Sequence, residues 1–232
     1  AQIKRLEAKR ADGKVVYSVE KPYKPTGGLR VLGGNLSPDF SAILKLAGVE
    51  GGLEGNTFRG KARVFEGERG LLEALDKAPD SFQDHDMVIV RYEGPSGAPG
   101  MPEMLDPTSR ITTLCRERNI VIGLMTDARF SGGSVGLVIG HVGPEAALGG
   151  PIAFIENGDE IMVDLNTSTL SCTALNDPAT LAKRKAVWEK DMREMHDSMQ
   201  EMTTRMLNTF RDYDARLLGI KKTREGNFCE IS

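Results

Sequence analysis

This sequence of 232 residues has few cysteines, a small net charge and no long apolar run, and each of these features excludes a class of protein. The three cysteines, Cys115, Cys172 and Cys229, lie too far apart for a disulfide framework or a zinc ribbon. Scattered cysteines of this kind are typical of a reducing compartment. We therefore expect the cytoplasm or, in a eukaryote, the matrix of an organelle.

Thirty Lys and Arg residues against 33 Asp and Glu residues give a net charge of -3, without the basic excess of a nucleic-acid-binding protein. No apolar run approaches the roughly 18 residues of a membrane-spanning helix. The first residues also lack the charged and then apolar pattern of a signal peptide. We therefore expect neither a nucleic acid nor a membrane as a partner.

Glycine, in contrast, is abundant: the 26 glycines cluster between short β-rich runs in the first three quarters of the chain. The runs that begin at Met87 and Val121 are apolar throughout, which is typical of strands covered on both faces. Residues 67–78 have the periodicity of a helix. Strands with helices between them predict a mixed α/β fold. The predicted strands are 29–32, 42–46, 61–65, 87–91, 121–126, 152–155 and 160–165.

Two further local features are predicted. Asp106 is expected to cap a second helix, with Pro107 in its first position. Gly158 and Asp159 predict a hairpin turn between the last two strands of the pattern.

The end of the chain has a different composition, with little glycine and much charge. Asp177 and Pro178 form a helix start, and apolar residues, many of them methionine, then recur at spacings of three and four as far as Leu217. A helix continuous to Leu218 would be roughly 60 Å long. Its stripe is interpreted either as ordinary helix burial or as a seam with another subunit or domain.

Two glycine-rich segments, 93–104 and 126–134, each follow a buried strand, where open α/β sheets bind their ligands. Glu103 in the first is either a ligand for a hard cation or a carboxylate near a helix start. Ser131 in the second precedes Gly132 and Gly133, whose amides would suit an oxyanion, with Arg129 nearby; otherwise Ser131 is a turn residue.

Two more residues have alternative interpretations. Asn35 follows a strand bracketed by glycine pairs and is interpreted as a turn residue or as a ligand contact. His141 lies in an apolar run and is expected to be a core histidine rather than a ligand.

Taken together, the segments closely resemble the carboxy-terminal domain of the dihydroxyacid dehydratase and phosphogluconate dehydratase family. The resemblance extends over roughly residues 20–170, in the family's order. It is carried by PTGGL at 25–29, GNL at 34–36, VRYEGP at 90–95, GAPGMPEM at 97–104, PTS at 107–109, TDARFSGG at 126–133, GHV at 140–142, PEAA at 144–147, GGPI at 149–152 and GD at 158–159.

The resemblance implies a hydro-lyase that converts a 2,3-dihydroxy carboxylate, either similar to dihydroxyisovalerate or a sugar acid, to a 2-keto acid. It implies an iron–sulfur cluster, of the two-iron rather than the four-iron type, as Lewis acid on the leaving hydroxyl, and a magnesium ion on the substrate. By motif match Glu103 becomes the magnesium ligand and Ser131, as an alkoxide, the base for the C2 proton. Arg129, Gly132, Gly133 and Asn35 become candidates for lining the substrate site.

The resemblance also implies a swivelling β/β/α domain, with a small barrel-like sheet, at 25–175. Residues 1–24 would form an interdomain junction and 176–232 a methionine-rich helical tail that departs from the family after about residue 185. The family's cluster cysteines and other magnesium ligands belong to an amino-terminal domain. We therefore expect half of an active site, inactive without that domain, in a homo-oligomer. The alternative is a non-catalytic assembly module that uses the methionine-rich helix.

Overall fold

The computed structural model describes residues 13–14, 17–23, 27–45, 53–131, 134, 136–217, 220–222 and 228–230. Eight strands form its centre: β1 (Leu29–Gly34), β2 (Ser37–Lys45), β3 (Thr57–Glu66), β4 (Asp86–Arg91), β5 (Gly123–Thr126), β6 (Val138–Gly140), β7 (Glu160–Asp164) and β8 (Thr169–Cys172). They close into a barrel in the order β1-β2-β6-β5-β4-β3-β7-β8. The helices are α1 (Gly67–Lys77), α2 (Leu105–Arg118) and α3 (Pro178–Leu217), and a ribbon of Ile220–Lys222 and Phe228–Glu230 follows α3.

The directions of the strands bring most of the connecting loops to one end of the barrel. Strands β3, β4, β5 and β6 are parallel, so all four finish at the same end, which we call the upper rim. Strand β2 is antiparallel to β6 and β1, so the turn between β1 and β2 also lies at this rim. Both glycine-rich segments identified in the sequence therefore start at the upper rim.

The apolar runs are buried on two faces, as the sequence predicts. Met87 and Ile89 of β4 belong to the core inside the barrel. The alternate residues, Val88 and Val90, belong to a second cluster with Leu71 of α1 and residues of α2. Because successive side chains of a strand point to opposite faces, a strand between two apolar layers has no polar position. The predicted mixed α/β fold, with a barrel-like sheet and a long terminal helix, is confirmed.

Two predictions for residues 152–159 are wrong. Residues 152–155 are not a strand, because Pro151–Phe154 form a 3-10 turn with the proline in its first position, where a fixed φ favours a helical start. Gly158 and Asp159 consequently join no pair of strands, and the Gly158 N–H instead donates to the carbonyl of Ala62. The hairpin at this end of the chain is formed by β7 and β8.

The start of α2 also differs from the prediction. Helix α2 begins at Leu105, and Met104, with φ 51°, precedes it without a side-chain cap. Asp106 lies in the first turn, where its carboxylate accepts a hydrogen bond from Arg110 at 2.9 Å, so it does not cap the helix.

Helix α3 begins as predicted and packs its first turns on the barrel. The Asp177 carboxylate accepts hydrogen bonds from the N–H groups of Ala179 and Thr180, at 3.3 and 3.0 Å. Trp188 packs edge-on against Phe154, with ring centroids 6.1 Å apart. Its indole N–H donates to the Tyr92 hydroxyl at 3.1 Å. The helix is therefore held against the residue that follows β4.

Further along α3 the same apolar stripe faces solvent. Met195, Met199, Met202 and Met206 are 51–57% exposed, and Phe210 is 60% exposed. A spacing of three and four residues keeps these side chains on one face of the helix, in line with Trp188. Within the described residues, no helix combines the length and the apolar character needed to cross a bilayer.

Arg184 forms the main polar contact between α3 and the barrel. Its guanidinium donates to both oxygens of Asp159, at 2.5 and 3.0 Å, and to the Phe154 carbonyl at 2.9 Å. Burial acts to raise the pKa of Asp159, but the hydrogen bonds from Arg184, the N–H of Glu156 and the charge of Arg184 together outweigh it, and the pKa lies below its usual value. This carboxylate therefore stabilises the fold above its unfolded pKa, and the contribution is lost as the pH falls through the lowered folded pKa.

The substitution Arg184→Met should lower the free energy of unfolding by about 3 kcal/mol near neutral pH, because the Asp159 side chain, only 10% exposed, is left without its cation and keeps only the Glu156 N–H and the Cys172 thiol as donors. The difference from the wild type should shrink in acid, where protonation removes the charge of Asp159. Urea unfolding at several pH values measures both effects. The control Arg205→Met removes an exposed pair with Glu201 and should cost less than about 0.5 kcal/mol. An equal effect of the two substitutions would contradict the prediction.

Candidate functional site

Glu103 and Arg129 lie on the two glycine-rich loops and contact each other. Arg129 Nη1 lies 3.1 Å from Glu103 Oε1, and Arg129 Nε donates to the Met101 carbonyl at 2.9 Å. Both side chains are almost half exposed, at 45% and 46%. An ion pair this open to solvent contributes only about 0–1 kcal/mol. The pair therefore links the two loops but holds neither side chain tightly.

Ser131 belongs to the same part of the rim. It follows Arg129 by two residues, so their Cα atoms lie within about 7 Å of each other. Ser131 is partly exposed, and its carbonyl accepts the N–H of Ser134 at 3.1 Å. Gly132 and Gly133, the predicted amide donors, lie outside the described residues. The acid and the alcohol that the sequence singles out are thus on adjoining loops, and both remain accessible.

Asp127, at the end of β5, is a buried carboxylate that collects backbone N–H groups from two other loops. Its Oδ2 accepts from Tyr92 at 3.1 Å and from Ala146 at 2.9 Å, and its Oδ1 accepts from Glu93 at 3.0 Å. Burial raises the pKa of Asp127, and the three N–H donors oppose the rise. The carboxylate fixes the start of the loop after β4 and the loop after β6 relative to β5.

Glu145, in the loop after β6, provides a second anchor of the same kind. This buried carboxylate accepts from the N–H groups of Ser96 and Gly97, at 3.0 and 3.1 Å. Gly94 lies directly against it, since a Cβ built on Gly94 would be 2.4 Å from Glu145 Oε2. The close approach of backbone and carboxylate explains why glycine stands at this position.

The side chain of Asn35 forms hydrogen bonds with Cys172 and Asn176. Its amide donates to the Cys172 carbonyl at 2.8 Å and to Asn176 at 2.9 Å, while its oxygen accepts the Cys172 N–H at 2.9 Å. These contacts join the β1–β2 turn to the end of β8, across the barrel from β4. They hold this side of the rim together, and a contact of Asn35 with substrate stays a prediction.

His141 is not the core histidine that the sequence predicts. It is exposed and has a φ of 55°, directly after the short strand β6. Its N–H donates to the Ala128 carbonyl at 2.7 Å. The chain turns out of the barrel at this residue, so the apolar run around it does not bury the side chain.

The described residues do not form a metal site by themselves. No group of three or more His, Cys, Asp or Glu side chains among them is arranged to hold an ion. Glu103, with an accessible carboxylate and a weakly held partner, fits one position in the coordination shell of a hard cation such as Mg²⁺.

The described thiols fit an iron–sulfur cluster poorly. Cluster ligands are thiolates. Burial raises the pKa of Cys172 to about 11, and burial also raises the pKa of Cys115. Neither thiol therefore has the accessible, low-pKa environment that favours a reactive thiolate.

Asp127 and Glu145 are the residues of the site that the sequence reasoning missed. Both lie in motifs that carry the resemblance, TDARFSGG and PEAA, but their spacing does not distinguish them from the reactive side chains nearby. A signal was present: an acidic residue next to an apolar strand end is costly to bury and requires donors.

Comparison with known proteins identifies a family that matches most of the chain. The sequence model of the dihydroxy-acid/6-phosphogluconate dehydratase C-terminal domain matches residues 14–213. The expectation that the chain departs from this family after about residue 185 is therefore wrong.

Similar proteins include three bacterial dihydroxy-acid dehydratases. Those of Arthrobacter sp. (strain FB24) and Parvibaculum lavamentivorans are 45% and 46% identical over 178 residues, which is 77% of this chain and 29% of each relative. One from Thermus thermophilus is 45% identical over 187 residues, 81% of this chain and 32% of the relative. The chain thus spans about three tenths of the length of these relatives.

The substitution Gly94→Ala should lower the free energy of unfolding by about 1–3 kcal/mol, because the new methyl group displaces the buried Glu145 carboxylate. Chemical denaturation measures the loss. The control Gly70→Ala adds the same methyl group within α1, where nothing lies within 4 Å, and should stabilise by about 0.5–1 kcal/mol. Stabilisation by both substitutions would show that the contact with Glu145 is not close.

Proposed function

Because the chain belongs to the dihydroxy-acid/6-phosphogluconate dehydratase family, as its C-terminal domain, we propose that it supplies the base and one magnesium ligand of a hydro-lyase. The proposed substrate is a 2,3-dihydroxy carboxylate, either similar to dihydroxyisovalerate or a sugar acid, and the product is a 2-keto acid. The observation that supports the proposal is the contact between Glu103 and Arg129, which brings the loops that carry Glu103 and Ser131 together.

In the proposed reaction, Ser131 Oγ removes the proton from C2 of the substrate. The C3–O bond breaks, and the leaving hydroxide becomes water by taking up one proton, equivalent to the one that Ser131 removed from C2. The resulting enol then tautomerises to the 2-keto acid. A serine is a poor base unless its alkoxide is stabilised, so the site needs positive charge and amide donors near Oγ. Arg129 supplies a guanidinium two residues away, and Gly132 and Gly133 are the proposed amide donors. Arg129 is also suited to bind the carboxylate of the substrate.

Glu103 is the proposed magnesium ligand of this chain. When bound, the ion would hold the substrate carboxylate and 2-hydroxyl and make the C2 proton more acidic. Since the exposed ion pair with Arg129 is worth only about 0–1 kcal/mol, exchanging Arg129 for the metal costs Glu103 little. The remaining ligands, and the cysteines of an iron–sulfur cluster, are proposed to come from an amino-terminal domain.

A second role is proposed for the exposed face of α3. Its methionine stripe continues the face that packs on the barrel at Trp188, and four methionines there are more than half exposed. Apolar residues at alternating spacings of three and four favour packing against a similar helix. We propose a second copy of this chain as the partner, either within the enzyme or as the assembly role of a non-catalytic module.

The catalytic proposal predicts different effects for its two residues in the protein that joins this domain to its amino-terminal domain. Ser131→Ala should lower kcat by about 10²–10⁴-fold at all Mg²⁺ concentrations, since it removes the base. Glu103→Gln should raise the Mg²⁺ concentration for half-maximal activity, since it removes a charged ligand. Assays of 2-keto acid formation from dihydroxyisovalerate and from aldonic acids measure both.

Matched controls lie on the exposed face of α2. Ser109→Ala and Glu117→Gln make the same chemical changes outside the loops and should leave both parameters within about twofold of wild type. Turnover of Ser131→Ala within a few-fold of wild type would refute the assignment of the base.

The assembly proposal predicts that the combined substitution of Met195, Met199, Met202 and Met206 by Gln lowers the solution mass of the 232-residue chain to that of the monomer. Light scattering measures the mass. The control replaces Glu194 and Glu201, on another face of α3, by Gln and should leave the mass unchanged. A monomeric wild type would contradict pairing through α3. It would favour instead that another domain covers the methionine stripe.

A further inference from the structure

We propose that Asp127 is a positioning residue of this site, with Glu145 as its second anchor. The two buried carboxylates would hold the loop of residues 92–104, and with it Glu103, in register with Arg129 and Ser131. The inference rests on the proposed function, because it concerns the geometry that this reaction requires.

The first argument is the direction of the hydrogen bonds. Asp127 comes from the end of β5, yet the N–H groups of Tyr92 and Glu93 come from the end of β4, and that of Ala146 comes from the loop after β6. The Asp127 side chain thus links the segments that follow three adjacent parallel strands, β4, β5 and β6. An amide could not replace it fully, since both carboxylate oxygens accept N–H groups and an amide has only one acceptor oxygen.

The second argument is the conformation that Asp127 stabilises. Tyr92 has a φ of 66°, in the left-handed region that a bulky residue adopts at a cost of roughly 1–3 kcal/mol. The bond from its N–H to Asp127 and the bond from Trp188 to its hydroxyl both favour this conformation. The turn at Tyr92 sends the chain from β4 into the glycine-rich loop, so its geometry sets where the loop begins.

The third argument is the continuity of the loop from its anchors to Glu103. Glu145 holds the N–H groups of Ser96 and Gly97. The Ala98 N–H donates to the Gly94 carbonyl at 2.8 Å, and the Met101 N–H donates to the Ala98 carbonyl at 2.9 Å. The Met101 carbonyl then accepts from Arg129. Each segment between Tyr92 and Glu103 is tied to the next, so a shift at the anchors is transmitted to the carboxylate.

A purely structural carboxylate would destabilise the fold when changed but would leave the chemistry intact. Asp86 provides that comparison. It is also buried, it accepts a backbone N–H from Gln83 at 2.8 Å, and it lies at the start of β4, at the opposite end of the barrel from the site. Asp127→Asn and Asp86→Asn are therefore matched in residue type, in burial and in weakening a side-chain acceptor of backbone N–H groups. They differ in that Asp86 accepts one such N–H and pairs with Arg63 at 3.4 Å, whereas Asp127 accepts three.

The experiment compares these two variants in the protein that joins this domain to its amino-terminal domain. Both should lose stability in chemical denaturation. Asp127→Asn should lower kcat by about 10²-fold, because misplacement of reacting groups by about 1 Å has that effect. It should also speed amide hydrogen exchange at residues 92–97. Asp86→Asn should leave kcat within about threefold and exchange at residues 92–97 unchanged.

A further variant, Glu145→Gln, weakens only the second anchor and should lower kcat about tenfold, the equivalent of one lost hydrogen bond to a charged group. If Asp127→Asn does not fold, this variant decides the question, and a kcat equal to that of Asp86→Asn overturns the inference.

The outcomes separate the two proposals. An inactive wild type, or full activity of Ser131→Ala, refutes the proposed function. An active wild type whose Ser131→Ala variant is impaired, with Asp127→Asn no slower than Asp86→Asn, refutes only the positioning role.

Discussion

A carboxylate taken out of water must find donors, and the structure of the site depends on how Asp127 finds its own. Three backbone N–H groups from two neighbouring loops point at this one side chain. Because a buried charge without partners costs several kcal/mol, the loops have little freedom to move away from it. Glu145 repeats the arrangement a few residues further along the loop after β4. The glycine-rich loops are consequently held by internal contacts, although glycine alone would make them flexible.

The same constraint connects the site to the long helix. Tyr92 donates its N–H to Asp127, and its hydroxyl accepts a hydrogen bond from Trp188 of α3. Arg184, one turn earlier in α3, binds Asp159, which directly precedes β7. The first turns of α3 are thus part of the support of the rim. Beyond them the helix keeps an apolar face without a cover among the described residues, and the proposed pairing of helices would place a subunit contact next to the same support.

Most elements follow from local pattern, and the failures have local causes. Apolar runs identified β4 and β5 because two-sided burial removes every polar position from a strand. The pattern predicts neither of the short strands β6 and β8, since three or four residues give too little periodicity. The pattern at 152–155 is apolar enough for a strand, but Pro151 starts a 3-10 turn there. The prediction of a core histidine at His141 is wrong for a related reason: a turn within the apolar run exposes its side chain.

By itself, the sequence determined the mixed α/β class, the start and period of α3, the family, and Glu103 and Ser131 as the residues to consider. These depend on spacing along the chain and on residue type, which the sequence states directly. Only the tertiary structure decided that Arg129 pairs with Glu103, that Asn35 is bound to the end of β8, and that Asp127 and Glu145 anchor the loops. Those contacts join residues far apart in the chain, and their partners are mostly backbone groups, which every residue carries and no motif can reveal.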